Sequence, residues 1–183
     1  MFVSGGAPFV VLGIDPGLTR CGYAAIESTS AGNGRALSLG VVRTAPSDPL
    51  PQRLADLREE LASLVAEFAP AVVVVEHVFF QVNVRTAMSV GQASGLALAE
   101  AAAAGCEVVQ YTANQVKQTI AGWGGADKLQ VQRMVQARLG LAVAPKPPDA
   151  ADAAALALCY LAMAPLRSRV AAALATNTNG GTR

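Results

Sequence analysis

The sequence predicts a single α/β domain, and three observations carry that reading. Two short, almost wholly apolar runs, residues 9–14 and 71–75, each stop at a carboxylate, Asp15 and Glu76, as buried strands do on leaving a sheet. The stretch 50–68 repeats its apolar residues in steps of three and four, the period of an amphipathic helix. The length, 183 residues, suits one domain, and such a chain buries roughly 70% of its unfolded surface.

Taken in order, residues 9–17, FVVLGIDPG, read as a core strand closed by a Pro-Gly turn, with Asp15 at its end. A carboxylate there is costly unless a cation or a hydrogen-bond donor meets it; the plainer alternative is an Asp that caps the turn. Residues 21–28 and 36–44 read as two further strands joined across Ala31-Gly32-Asn33-Gly34, so an antiparallel meander opens the fold. A helix follows, with Asp48 as N-cap and Pro49 at the first helical position. Its Leu50, Leu54, Leu57, Leu61, Leu64, Val65 and Phe68 form one core-facing stripe.

Residues 71–75 are the second buried strand, ending in Glu76. If the two buried strands are parallel neighbours, ~4.8 Å apart, their carboxylates meet at the sheet edge where α/β folds collect ligands. A strand-end acid facing solvent is the alternative. Residues 78–83 are a loop holding Phe79, Phe80 (the better core candidate) and Gln81. A long alanine-rich helix runs from there to about Ala104, with Gly105 as its C-cap. Gly91 and Gly95 share a face of it with Met88 and Ala99, and glycines so placed admit close approach by another element, in this chain or in a second subunit.

Residues 107–111 form a fifth strand, and Thr112 with Gln115 makes a capping box for a short helix carrying Lys117. Beyond the Gly122-Trp123-Gly124-Gly125 loop, residues 126–139 form a helix with Lys128, Arg133 and Arg138. The prolines of 144–148 impose an extended linker, and a last helix runs from near Pro148 to about Ala164. The expected organisation is therefore an N-terminal extension at 1–8, one domain at 9–165 and a flexible tail at 166–183.

Composition excludes several classes. The 52% hydrophobic content and mean hydropathy of +0.38 come largely from alanine, and the longest apolar run, 153–164, falls short of the ~20 residues a bilayer needs. The first eight residues lack a basic region and an apolar core of the kind a signal peptide has. Cys21, Cys106 and Cys159 are scattered without metal-ligand spacing and read as buried reduced thiols in a cytoplasmic protein. His77 reads as structural or solvent-facing. After Glu76 there are nine Lys and Arg against five Asp and Glu, which permits a polyanionic partner.

Asp149 and Asp152, three apart, project from one face of the last helix, and the alanines around them let it lie close against a sheet. Acids in a first turn also offset the helix dipole, which accounts for Asp149 better than for Asp152. Were the four carboxylates to converge with no Arg or Lys between them, they would have to hold protons or a divalent cation. All-oxygen ligation suits Mg²⁺ or Mn²⁺ rather than zinc, and two such ions are the machinery of in-line phosphoryl displacement.

Gly13-Ile-Asp15-Pro-Gly17, Glu76-His-Val-Phe79, Val116-Lys-Gln-Thr119 with Gly124-Gly-Ala-Asp-Lys128, and Asp149-Ala-Ala-Asp152 closely resemble, in this order and spacing, the RuvC family of Holliday junction resolvases. The resemblance covers about Val10 to Ala164. It implies a ribonuclease H-like fold: a five-stranded mixed sheet, three strands antiparallel and two parallel, flanked by helices. It implies Asp15, Glu76, Asp149 and Asp152 as metal-binding catalytic carboxylates for two Mg²⁺ or Mn²⁺ ions. Lys117, Lys128 and Arg85 are implied as DNA-binding residues and Phe79 as an aromatic that stacks on bases. The expected reaction is paired nicking of a four-way junction, leaving 5′-phosphate and 3′-hydroxyl ends. The expected assembly is a homodimer through the Gly91/Gly95 helix, working with the RuvA–RuvB branch-migration complex. The competing readings are another ribonuclease H-like nuclease (YqgF-like or RNA-cleaving), an ATPase or sugar-kinase fold, which needs a longer two-lobed chain, and a non-catalytic DNA-binding module.

Overall fold

The computed structural model of the chain describes residues 7–29, 34–77 and 84–178. Its centre is β1 (Val10–Asp15), which pairs antiparallel with β2 (Arg20–Ser28) and parallel with β4 (Val72–Glu76). β3 (Gly34–Arg43) extends the antiparallel side and β5 (Glu107–Tyr111) the parallel side, in the order β3-β2-β1-β4-β5. Both expectations for the sheet therefore hold, the opening meander and the parallel pair. β1 and β4 run almost uninterrupted in apolar residues because both of their faces are covered, unlike half-solvated strands, which alternate.

On one face, Leu12, Ile14, Val73 and Val75 meet α1 (Leu50–Phe68) and α2 (Val84–Ala103). On the other, Val11, Val72 and Val74 meet α3 (Ala113–Ala121), α4 (Lys128–Leu139) and α5 (Pro148–Thr178). Leu57, Leu61 and Leu64 of the α1 stripe are buried as expected, whereas Leu50 is exposed. The N-cap of α1 is Pro49, without a side-chain cap, not Asp48. Asp48 stands one position too early: its N–H donates to the Ala45 carbonyl at 3.1 Å, closing a turn ahead of the helix.

α5 is the element that departs furthest from expectation. It continues to Thr178, past the expected end near Ala164, through an alanine-rich stretch of high helix propensity. Its N-terminal half lies on β1 and β2 with Ala150, Ala153, Ala154 and Ala157 all buried. The strands make matching room. A Cβ on Gly13 would collide with the Ala153 carbonyl, and one on Gly22 would sit 2.6 Å from the Asp149 carbonyl carbon. Small residues on both partners thus bring the helix backbone onto the sheet backbone.

Candidate active site

β1 and β4 are aligned so that Ile14 pairs with Val75, which sets Asp15 and Glu76 side by side at the carboxyl edge. Across the other ladder Asp15 pairs with Gly22, the residue on which the first turn of α5 rests. One short stretch of sheet therefore fixes two carboxylates directly and a third, Asp149, through the helix it supports. Asp15, Glu76 and Asp152 line a cavity of about 250 Å³. Its cationic wall is Lys117 of α3 and Lys128 of α4, and its apolar wall includes Val116, Val131 and Leu156. Lys128 is the first residue of α4, held there by a capping box between Asp127 and Gln130.

Two cations stand among the acids, so the carboxylates do not converge unaccompanied. Lys128 Nζ donates to Asp152 Oδ2 at 2.6 Å. Arg20, the first residue of β2, donates to Asp149 Oδ2 from Nε at 3.1 Å and from Nη2. The consequences differ by site. Burial first, then the charges of Glu76 and Asp152, a hydrogen bond with Glu76 and the charge of Asp149, push the Asp15 carboxyl up to about 8. Burial also raises Glu76, against the lowering effect of its bond to Asp15. The two strand-end acids therefore share a proton near neutral pH. Burial acts to raise Asp149 too, but the Arg20 bond and the charges of Arg20 and Lys128 outweigh it and leave that carboxyl below its usual range. The bond to Asp152 raises the Lys128 ammonium, so it stays charged.

All four sequence-predicted carboxylates thus act on one another, since Asp15 feels each of the other three. Asp149 stands on the Arg20 side and does not line the cavity. Among the described residues no three Asp, Glu, His or Cys side chains are close enough to hold an ion as they lie. The donor set nevertheless fits a hard divalent cation. Asp15 and Glu76 carry a proton that a cation would replace, and Asp149 and Asp152 are held by exposed cations rather than buried ones. Phe79 and Phe80 lie outside the described residues, as does the side chain of Arg85, which belongs to the first turn of α2. His77 is exposed, Cys21 and Cys159 are buried free thiols, and Cys106 is only half-buried. The same sheet edge holds a residue that sequence reasoning missed, Arg20. The available signal was the brevity of the turn after Asp15, which returns the chain along the same edge within five residues.

A five-stranded mixed sheet with carboxylates converging on the edge of its central strands defines a ribonuclease H-like nuclease. The family model described as "Crossover junction endodeoxyribonuclease RuvC" matches residues 11–160. A protein of that name from Salinispora arenicola is 49% identical over 173 residues, 94% of this chain and 99% of its own. One from Corynebacterium jeikeium is 47% identical over 162 residues, covering 87% and 98%. Among solved structures, Thermus thermophilus RuvC in complex with Holliday junction substrate superposes with a TM-score of 0.82 at 39% identity, over 86% of this chain and 96% of that one. The chain belongs to the RuvC family of crossover junction endodeoxyribonucleases.

Proposed function

We propose that the protein resolves Holliday junctions by metal-dependent hydrolysis, with Asp15, Glu76, Asp149 and Asp152 as its catalytic carboxylates. The observation that carries this reading is the convergence of three other carboxylate charges on the half-buried Asp15 at the sheet edge. Such a cluster is unfavourable unless a cation joins it, and its all-oxygen donors suit Mg²⁺ or Mn²⁺, two per site. Asp15 and Glu76 would hold metal after giving up their shared proton. Asp149 and Asp152 would join them by exchanging Arg20 and Lys128 for the ions. When bound, the ions supply an activated water and stabilise charge on the leaving 3′-oxygen of an in-line displacement. Lys128, once released from Asp152, and Lys117 on the same cavity wall then serve the scissile phosphate by charge pairing. The apolar wall limits the water that reaches that side of the cleft.

Four-way DNA is the proposed substrate, cut by paired nicks that leave 5′-phosphate and 3′-hydroxyl ends, with Phe79 and Arg85 as further DNA contacts. Paired nicks need paired sites. Met88, Gly91, Gly95 and Ala99 lie on one exposed face of α2, and among the described residues a Cβ on Gly95 would meet nothing within 4 Å. The close approach such glycines permit is therefore not used at Gly95 by any described element of this chain, and a homodimer through that face is the proposed assembly. A branch-migration complex of the RuvA–RuvB kind is the proposed partner. Among the described residues no helix is long and apolar enough to cross a membrane, and a cytoplasmic location follows from the DNA substrate. The nuclease domain spans 9–165 in this reading.

The test is incubation with a synthetic mobile four-way junction, with and without Mg²⁺ or Mn²⁺, read on a denaturing gel. Symmetric, ligatable nicks that need the metal are expected. Equal cutting of linear duplex, or binding without cutting in either metal, would overturn the reading.

A further inference from the structure

The mechanism leaves unused the chain's only tryptophan, Trp123, a residue 53% exposed. The loop that carries it, between α3 and α4, is fixed by three glycines in three different ways. Gly122 caps α3 in the left-handed region at φ 86°, which favours glycine. A Cβ on Gly124 would collide with the side-chain oxygen of Asn114, and one on Gly125 would lie 2.8 Å from Cε3 of the indole itself. The ring thus lies against the backbone at Gly125, while the residue as a whole stays exposed. The place is as specific as the posture. Asn114, which buttresses Gly124, adjoins Ala113 of the cavity wall, and the loop ends five residues after Trp123 at Lys128, which pairs with Asp152.

The charge of its own segment bears on the partner. From Ala113 to Leu139 there are four basic residues, Lys117, Lys128, Arg133 and Arg138, and one acid. That acid, Asp127, is engaged in its capping box. A large exposed aromatic face on a segment richer in Lys and Arg than in acids offers what a nucleobase needs: a π surface to stack on, with cations nearby along the chain for phosphates. A protein partner would be expected to meet a broader apolar patch with less charge. We propose that Trp123 is a stacking platform for a base unpaired at the branch point of the DNA junction, beside the cavity in which the strand is cut. It is a binding contact and does not touch the reacting atoms. This rests on the nuclease reading above, and the experiment below separates the two.

Because Trp123 is the only tryptophan, the unaltered protein reports on itself. Its fluorescence, excited selectively over tyrosine, is titrated with four-way junction, single strand and linear duplex of the same sequence in Ca²⁺, a divalent ion offered in place of Mg²⁺ to slow cutting. Strong saturable quenching by junction and single strand, and weak quenching by duplex, is expected. Equal quenching by duplex, or none by junction at saturating binding, overturns the platform. In Mg²⁺, Trp123→Ala should raise KM for the junction roughly 5- to 100-fold, the range set by loss of one stacked base, with the loss falling on KM rather than kcat. Trp123→Phe should recover most of it, which a merely structural ring would not require, and the alanine variant should melt within a few degrees of the parent. A KM unchanged in Trp123→Ala refutes the inference while leaving the resolvase reading intact. Failure of the parent to cut junctions refutes the latter instead.

Discussion

Replacing Asp15 with Asn should abolish cleavage and, in the absence of metal, make the protein more stable. The carboxyl titrates near 8 in the fold against 3.8 in a free chain. Below pH 3.8 both states are protonated and the site costs nothing. As pH rises towards 8 the unfolded chain ionises and the folded one does not, so the folded state binds more protons and loses stability throughout that window. Each unit of separation is worth about 1.4 kcal/mol, so the pair of values 3.8 and 8 implies a penalty on the order of 5 kcal/mol at pH 8 and between 1 and 2 kcal/mol at pH 5. Water entering the open cavity leaves a fraction of that, on the order of 2–3 kcal/mol.

Asparagine keeps the shape, donates to Glu76 in place of the acid proton and never ionises. In EDTA at pH 8, Asp15→Asn should therefore melt roughly 4–12 °C above the parent, at about 2–4 °C per kcal/mol for a domain of this size. The gap should shrink to about a third at pH 5, in proportion to the penalty. Excess Mg²⁺ should raise the melting point of the parent and not that of the variant. The assay is differential scanning fluorimetry or calorimetry across pH, paired with junction cleavage. Melting of the variant at or below the parent at pH 8 in EDTA would show that Asp15 is not strained by its burial. Full nicking by the variant would remove it from the chemistry.

Other perturbations separate the scaffold from the site. Gly22→Ala places a Cβ 2.6 Å from the Asp149 carbonyl carbon. The first turn of α5 must then move outward, at about 1–3 kcal/mol of stability by chemical denaturation and with severe loss of cleavage. Lys128→Gln removes the cation from Asp152. It should lower the Mg²⁺ concentration for half-maximal activity, because metal no longer competes with an ammonium, while lowering kcat through loss of the phosphate contact. Gly95→Ala, at an exposed helix position with nothing within 4 Å among the described residues, should stabilise the isolated subunit by about 0.5–1 kcal/mol. Gly95→Leu should leave the fold intact yet shift sedimentation from dimer towards monomer; a dimer unaffected by the bulk of a leucine side chain at this position places the interface elsewhere.

The parts of the site that were legible in the sequence are those written in local pattern. Asp15 and Glu76 could be read because each ends an unbroken apolar strand, and Asp149 and Asp152 because alanines surround them on a helix. The fold was legible for the same reason, since strand and helix periods are short-range properties. What escaped depends on register or on space. Arg20 meets Asp149 across 129 residues of sequence, through an antiparallel ladder whose register no single segment states. Asp48 looked like a cap because Asp commonly is one, yet a turn closed by its own N–H intervened. Whether the Gly95 face meets another element of the chain depends on the space around it, which no local pattern states. Asp127 is the instructive case: the sequence reading begins that helix at Ala126, whereas the Asp127–Gln130 capping box begins it at Lys128.

The four carboxylates divide into two kinds, and the division bears on how such a site stays folded without metal. Asp15 and Glu76 sit on adjacent rigid strands and cannot separate, so they relieve their repulsion by sharing a proton. Asp149 and Asp152 sit on a helix end within reach of long flexible cations, so they relieve theirs by ion pairing. Neither device is permanent. A proton would leave if a cation bound between them, and Arg20 and Lys128, partly exposed, would lose little by turning to a phosphate. Half-exposed pairs are worth little to stability, so their presence is better explained by exchange than by folding. A buried pair at the same place would have cost far more to break and would have locked the acids away from any ion. The observable consequence is proton release. Mg²⁺ binding at pH 7 should free a proton from the strand-end pair, measurable as a buffer-dependent enthalpy in calorimetry. A binding enthalpy independent of buffer ionisation would mean that the pair is already unprotonated in the fold.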